Sequence, residues 1–350
     1  MMPRLVILFF LGLLGLTPVQ ASTGERKAAG ASPSTSPSTR TAAQLQAMAP
    51  RMVFQILVSE LAVQEGQLAL AAATYGALAE ETGQANVAER ATKLALSARS
   101  GPQALKAARI WLAAAPNEEE AQDTVDALEV LLGQREELVA SLIKRREQAR
   151  KDKKLEAFYD RLSGLASRSP DKLAGLQLLE AVAQPDLSVS SVLYSRAMLN
   201  EQAGRPQEME TLLRQLIAKD PKHAHALNAL GYSLADRGER LQEANDLIKA
   251  AVALSPNDAH ILDSMGWVLF RQGKLTQARK WLQKAHAKQP DAEISAHLGE
   301  VLWVMGETDQ ALAAWRRGLS NDPHNKVLFK TLERLAIPLD RLAPSIPRGQ

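Results

Sequence analysis

The sequence predicts an all-α protein built as a stack of helix pairs, and three observations support that fold class. Its 350 residues are 46% hydrophobic and 23% charged, a globular composition long enough for two ordinary domains or one repeat array. Between residues 186 and 337, glycine and proline recur with a period near 34 residues. Apolar residues within each period keep the three- and four-residue spacing of a helix. These observations together indicate repeated helical hairpins.

The first residues have the pattern of a secretory signal. Arg4 precedes an apolar stretch, Leu5 to Leu16, and a small-residue cleavage pattern ends at Ala21. As a helix this stretch covers roughly 18 Å, less than the roughly 30 Å hydrocarbon core that a transmembrane helix crosses. We expect residues 1–21 to be a cleaved signal peptide, the alternative being a retained anchor. The mature chain is then expected in a bacterial periplasm, with no membrane span, and not as a lipoprotein because cysteine is absent.

Segments poor in large apolar residues flank the predicted helices. Residues 22–43 are rich in Ser, Thr, Gly, Ala and Pro, which predicts a flexible linker. At the other end, Pro338, Pro344 and Pro347 predict a proline-rich tail over residues 338–350.

Three series of residues mark the period of the repeat. One glycine series, with intervals of 34, 35 and 33 residues, consists of Gly204, Gly238, Gly273 and Gly306. A second, with intervals of 35 and 33, consists of Gly231, Gly266 and Gly299. The prolines, with intervals of 35, 34 and 33, are Pro221, Pro256, Pro290 and Pro323. We expect the first glycines to form the turns within helix pairs, the second to let a neighbouring helix pack closely, and the prolines to end second helices.

At these residues the sequence resembles the tetratricopeptide repeat (TPR), whose 34-residue pattern combines W-x2-L-G-x2-Y, A-x3-F and a final proline. Matches are strong over residues 224–258, 259–291 and 292–325, with Ser295 and Gly318 as departures in the last. The repeat over residues 190–223 carries Arg196 and Met209 at usual core positions. Domain 190–325 is thus predicted as well-defined TPR repeats.

Extending the register towards the amino terminus places further turns near Gly66, Arg99, Gly133 and Ser167. Residues 44–189 are accordingly predicted as degenerate TPR-like repeats, least regular between 117 and 189. The resemblance implies a right-handed superhelical solenoid of about eight repeats, with a capping helix over residues 326–337.

In this family the first helices of the repeats line a concave groove that holds partners. Carried onto this register, the resemblance implies a partner-binding groove formed by Tyr194, Asn228, Tyr232, Asp263, Trp267, Phe270, Arg271, Glu300 and Trp303. Exposed aromatic groups beside hydrogen-bonding groups are the usual anchors of a peptide or protein site. The alternative is that several of them fill space between adjacent first helices. The lysine, arginine and asparagine set with which chaperone-binding members grip a terminal carboxylate is missing.

The sequence carries no motif for catalysis or metal binding. The absence of cysteine excludes a thiol nucleophile, a disulfide scaffold and an iron–sulfur cluster. The six histidines include no HExxH pair, and no GxSxG elbow or phosphate-binding glycine loop is present. We therefore expect no enzymatic activity, no cofactor and no metal. The alternative from another class is a hydrolase whose site assembles across space.

Charge argues against a dedicated nucleic-acid binder, since the net charge is only +3. One basic run, Lys144 to Lys154, could meet an acidic partner, peptidoglycan or anionic lipid. A solvated helix end is the alternative that we favour, because no aromatic residues are interleaved with the charges.

The predicted function is a non-catalytic periplasmic scaffold or adaptor that binds one or more envelope proteins or peptides in its groove. Residues 87–92 and 299–303 are similar to larger bacterial envelope TPR lipoproteins, some of which dock a carboxy-terminal processing protease. That similarity implies a processing protease as one partner. The alternative is an assembly factor for pili, outer-membrane machinery or exopolysaccharide export.

Overall fold

A computed structural model describes residues 42–342, with side chains from residue 50 onward. The chain divides into two units between Arg51 and Met52, and of the first unit only the beginning of one helix is described. The predicted signal peptide, residues 22–41 of the predicted linker and residues 343–350 of the predicted tail lie outside the described residues. That first helix already begins at Ala42, so the linker prediction was two residues too long at its carboxyl end.

The described residues form seventeen α-helices and two short 3₁₀ helices, with no β-strand between residues 42 and 342. The α-helices are α1 (Ala42–Gln64), α2 (Leu68–Thr82), α3 (Ala85–Ser97), α4 (Gly101–Ala114), α5 (Glu119–Leu132), α6 (Arg135–Lys151), α7 (Leu155–Ser167), α8 (Lys172–Ala183), α9 (Ser190–Gln202), α10 (Pro206–Lys219), α11 (Ala224–Arg237), α12 (Leu241–Leu254), α13 (Ala259–Arg271), α14 (Leu275–Lys288), α15 (Ala292–Val304), α16 (Thr308–Asn321) and α17 (Lys326–Arg334). The 3₁₀ helices are Gln184–Asp186 and Leu339–Leu342.

The seventeen helices are eight consecutive hairpins followed by one terminal helix, which confirms the predicted all-α solenoid of about eight repeats. In the regular part of the array the first helix packs on its own second helix and on the following hairpin, as α11 does on α12 and α13. Helix α17 packs on α15 and α16, so it covers the last hairpin. It ends at Arg334, three residues before the predicted end, because Ala336 adopts a φ of 52° that a helix does not allow.

Turns within the hairpins adopt the left-handed conformation that the glycine series predicted. All four of its members have φ between 72° and 81°. At Gly238, which ends α11 with φ 72°, the next amide, of Glu239, donates to the Leu234 carbonyl and closes the helix end. In the amino-terminal half, Gly66 and Gly133 adopt the same conformation, and Arg99 adopts it with φ 56°. The extended register is therefore confirmed at these three turns.

The second glycine series brings the two helices of a hairpin into close contact. A Cβ at Gly231 would lie 2.6 Å from the Ile248 side chain, and one at Gly266 would lie 2.5 Å from the Leu282 side chain. At Gly299 the space is filled by the indole of Trp315, which is fully buried. Each position thus accommodates a large residue of the second helix, as the spacing predicted.

The middle of the chain departs from this regularity. Helices α5 and α6 touch only briefly, and α6 packs instead on α7 and α8. Helix α7 ends at Ser167, at the predicted turn, but the turn that follows has no left-handed residue. A Cβ at Gly175 would lie 2.2 Å from the Ala166 carbonyl oxygen, so α7 and α8 approach through their backbones instead.

Arginines of the basic run Lys144 to Lys154 form internal contacts in this region. Arg145 lies 2.7 Å from Asp126, and Arg150 lies 2.5 Å from Asp186. Arg146 is buried and donates to the Val182 carbonyl. The run is therefore partly structural, which reduces the charge it presents to an external partner.

Within residues 42–342, no helix combines the length and the apolar content needed to cross a membrane.

Candidate protein-binding face

The predicted groove residues all lie on first helices of the last four hairpins. Tyr194 is on α9, Asn228 and Tyr232 on α11, Glu300 and Trp303 on α15, and the other four on α13. Helix α13 contacts both α11 and α15. The structure thus brings the residues of α11, α13 and α15 onto one surface, which we call the first-helix face.

Burial divides these nine residues into two groups. Asp263, Trp267 and Glu300 are only 3–5% exposed, so they lie beneath the surface. The half-buried group, whose side chains a partner could reach, consists of Tyr194, Asn228, Tyr232, Phe270, Arg271 and Trp303. Trp267 therefore fills space between first helices, as the alternative interpretation expected. Whether the half-buried residues bind a partner stays a prediction.

A buried acid–base pair lies at the centre of the face. His297 of α15 is 2% exposed, and its Nδ1 lies 2.8 Å from Oδ2 of Asp263 on α13. Burial disfavours the charged imidazole, but the Asp263 charge and hydrogen bond outweigh it, and Glu293 and Glu300 add to them. The net result raises the pKa of His297 to about 9. At neutral pH the pair is therefore a buried ion pair that joins α13 to α15.

Aromatic rings surround the imidazole of His297. The Trp267 ring stacks on it with centroids 4.2 Å apart, and Tyr232 lies 6.0 Å away. On its outer side Trp267 contacts Phe270 at 5.2 Å and the Arg271 guanidinium at 5.9 Å. Phe270 and Arg271 are consequently held on a fixed indole support.

Hydrogen bonds fix the same aromatic groups from α11 and α15. The indole Nε1 of Trp267 donates to Oδ1 of Asp236 over 3.3 Å, and the Tyr232 hydroxyl donates to Oε1 of Glu293 over 3.2 Å. Burial, followed by the charges of Glu293, Asp236 and Asp263, raises the pKa of Tyr232 well above its usual value. The surface around Tyr232 is therefore rich in carboxylate groups.

The two ends of the face are held by further contacts. At the carboxyl end, Arg334 of α17 donates to the buried Glu300 over 2.5 Å, and Trp303 lies 5.8 Å from Trp315. At the amino end, Tyr194 stacks on His223 with centroids 5.4 Å apart. The capping helix thus neutralises a carboxylate that belongs to the first-helix face.

The chemical groups that this face presents are aromatic rings, carboxylates and a guanidinium. The histidine is shielded by stacked rings and is paired with a carboxylate, and no serine or threonine hydroxyl bonds to it among the described residues. Between residues 42 and 342 no three His, Asp or Glu side chains are grouped to hold a metal ion.

His297 and Asp236 were not among the predicted groove residues. A signal for His297 was available, since it follows Asp263 by 34 residues, one repeat period. Residues one period apart on first helices are neighbours in a solenoid, so an acid and a histidine at that interval predict a contact.

Stacked helical hairpins with left-handed turns, small residues inside the first helix and an aromatic first-helix face define a helical-repeat protein. The family model for the tetratricopeptide repeat matches residues 194–259, which cover most of the fifth hairpin and all of the sixth. The chain therefore carries tetratricopeptide repeats in this region, and proteins with such repeats generally mediate protein–protein interactions.

A relative and two solved structures to which this chain is similar are also TPR proteins. A TPR repeat-containing protein of Pseudomonas aeruginosa is 38% identical over 202 residues, which are 52% of this chain. This chain covers only 34% of that relative's length. The crystal structure of a thermophilic TPR protein from Thermus thermophilus is 23% identical, with 52% of this chain and 99% of that chain aligned at a TM-score of 0.45. The crystal structure of a tetratricopeptide repeat protein from Parabacteroides merdae is 14% identical, with 81% of this chain and 97% of that chain aligned at a TM-score of 0.46.

Proposed function

We propose that this TPR protein is a non-catalytic scaffold of the bacterial envelope that holds a segment of a partner protein on its first-helix face. The observation that carries the proposal is the preformed aromatic surface around Tyr232, Phe270 and Trp303. Phe270 lies against Trp267, Tyr232 lies beside His297, and Trp303 lies against Trp315, so buried rings support each of these half-buried rings before any partner arrives. Rigid aromatic side chains with one accessible side are favoured anchors in protein interfaces.

The charges beside these rings indicate the chemistry of the partner. Asp236 is exposed and Glu293 is half-buried, and both lie near the Tyr232 hydroxyl. Arg271, the cation on the same surface, is already engaged by the Asp236 backbone carbonyl. A partner segment that combines an apolar side chain with lysine or arginine would match this surface through ring contact and charge.

The envelope compartment is the second part of the proposal and is supported by the signal-like pattern in residues 1–21. Fractionation of cells, followed by mass spectrometry of the amino terminus, tests it. Recovery in the periplasm with a new terminus at Ser22 would support cleavage. Recovery in the membrane with residue 1 retained would support the anchor, and a cytoplasmic protein with an intact terminus would refute the proposed location.

Capture of partners from crosslinked cells tests the binding surface. We expect Phe270→Ala combined with Trp303→Ala to reduce recovery of the partner, with circular dichroism confirming that the fold persists. Leu254→Ala, which truncates a 41% exposed apolar side chain on the second helix α12, is the matched control. Equal recovery by the double variant, the control and the wild type would refute the placement of the site.

The captured protein also distinguishes the possible roles. A processing protease among the partners would support an adaptor that delivers substrates, whereas a pilus, outer-membrane or export subunit would support an assembly factor. Turnover of a hydrolase substrate by the purified chain would contradict the non-catalytic role.

A further inference from the structure

A cavity of about 280 Å³ lies on the other side of the hairpins, among α12, α13 and α14. Its apolar lining includes Val252, Met265, Leu269 and the half-buried Trp281. The first-helix face contributes none of its nine predicted residues to this lining. The cavity is therefore a separate feature of the molecule, which the proposed function does not use.

Asn245 lines this cavity and is buried, with 3% of its surface exposed. Its side-chain oxygen Oδ1 has no hydrogen-bond donor in the part of the chain that the structure describes. A buried acceptor without a donor is destabilising, so a ligand that brings an N–H group would remove an existing penalty.

Two lysines line the cavity. Lys249 and Lys274 line it, and neither has a carboxylate within ion-pairing distance among residues 42–342. Trp281, Lys284 and Lys288 are spaced by three and four residues and share one side of α14, and Lys274 immediately precedes this helix, seven residues before Trp281. The Lys284 ammonium lies 5.4 Å from the Trp281 ring centroid. Helix α14 itself contains no acidic residue.

We propose that this cavity binds an acidic segment of a partner protein, with one apolar side chain of that segment inside the cavity. The apolar side chain would contact Met265, Leu269 and Trp281, flanking carboxylates would face Lys249 and Lys274, and a backbone amide would donate to Asn245. A peptide meets all three requirements, whereas a fatty acid or an inorganic anion brings no N–H donor.

Fluorescence anisotropy of a labelled peptide tests the proposal on the full mature chain. The probe is a peptide of about ten residues, blocked at both ends, with one leucine flanked by aspartates and glutamates. We expect saturable binding, weakened about tenfold or more when the leucine is replaced by alanine, because burial of the larger side chain is lost. Replacing the acidic residues by lysines should abolish binding.

Protein variants locate the site. Lys249→Glu combined with Lys274→Glu should weaken binding about tenfold or more, since both changes reverse a charge at the cavity. Lys280→Glu, on the same helix but outside the lining, is the matched control and should change affinity about threefold or less. Asn245→Leu should also weaken binding, and circular dichroism checks that this buried change leaves the helices intact.

Several results would overturn the proposal. Equal weakening by the double variant and by Lys280→Glu would mean unspecific attraction to a basic surface. Binding only by a peptide with a free carboxyl terminus would mean that the ligand is a terminal carboxylate. Binding of anionic phospholipid vesicles, with no binding of the blocked peptide, would mean a lipid surface.

Discussion

The ion pair between Asp263 and His297 makes stability depend on pH in a specific direction, and Asp263→Asn is the change that tests it. This substitution preserves the size of the side chain but removes the charge. Without that charge, burial is opposed only by the weaker effects of Glu293 and Glu300, so the pKa of His297 should fall from about 9 to the usual 6.5 or below. The variant should therefore contain a neutral imidazole at neutral pH.

The size of this effect on stability follows from how much more tightly the folded state binds the His297 proton than the unfolded state does. A rise of the His297 pKa from 6.5 to about 9 corresponds to about 3 kcal/mol of stability at low pH. Because the folded pKa is the higher one, this contribution is complete below about pH 6.5. It decreases as the pH rises and is lost above about pH 9. Asp263→Asn should thus cost about 1 kcal/mol near pH 10, where only a neutral hydrogen bond is lost. Near pH 6 the cost should be about 3 kcal/mol larger, or about 4 kcal/mol in total.

The assay is urea denaturation followed by circular dichroism, which gives the free energy of unfolding. The wild type and the variant are measured in parallel from about pH 6 to about pH 10. The difference between the two curves cancels other titrating groups that both proteins share. Tyr232, the nearest phenol, does not interfere because its pKa is well above the usual value. An NMR titration of His297 gives the pKa directly. A difference in stability that stays constant with pH, or a wild-type His297 pKa near 6.5, would refute the reasoning.

Four further substitutions test the packing. Gly266→Ala should lower the free energy of unfolding by about 1–3 kcal/mol despite better helix propensity, because its Cβ would lie 2.5 Å from a leucine carbon. Gly76→Ala, where the space is open, should raise the free energy of unfolding by about 0.5–1 kcal/mol. Thermal melts in which both variants shift in the same direction would contradict this reasoning. Arg334→Met should lower the free energy of unfolding by about 2 kcal/mol and speed amide exchange in α17, because the carboxylate of Glu300 stays buried without its cation. Unchanged exchange would show that this ion pair does not hold the capping helix in place. Tyr159→Phe should cost about 1–2 kcal/mol in urea denaturation because a buried carboxylate loses its hydroxyl donor, and an unchanged midpoint would count against that bond.

Much of the fold was predictable because the turn residues are local signals. The conformation of Gly238 follows from residue type and helix register, and extrapolation of the same register located the turn at Arg99, where no glycine is present. The end of α17 at Arg334 was not predictable in this way, since no following repeat fixes the register there. The irregular packing of α7 on α8 through Gly175 depends on backbone approach, for which the sequence has no periodic signal.

The candidate site was predictable in position but not in exposure. Repeat register places Trp267 and Phe270 on the correct side of α13, yet only the first is buried. The difference arises because Trp267 stacks on His297, a residue of another repeat. Exposure on a solenoid depends on the side chains that neighbouring repeats contribute, which a register derived from one repeat does not contain.

The contacts beneath the first-helix face have a consequence for the thermodynamics of association. Tyr232 and Trp267 are each tied by a hydrogen bond to a neighbouring first helix, and Phe270 rests on a fixed ring. Ordering a mobile side chain at an interface costs about 0.5–1.5 kcal/mol of conformational entropy. These side chains are already ordered in the folded protein. A partner should therefore bind with a small conformational-entropy penalty on this side of the interface. The helices should also show little change in amide exchange on binding, so that most of the ordering occurs in the partner segment.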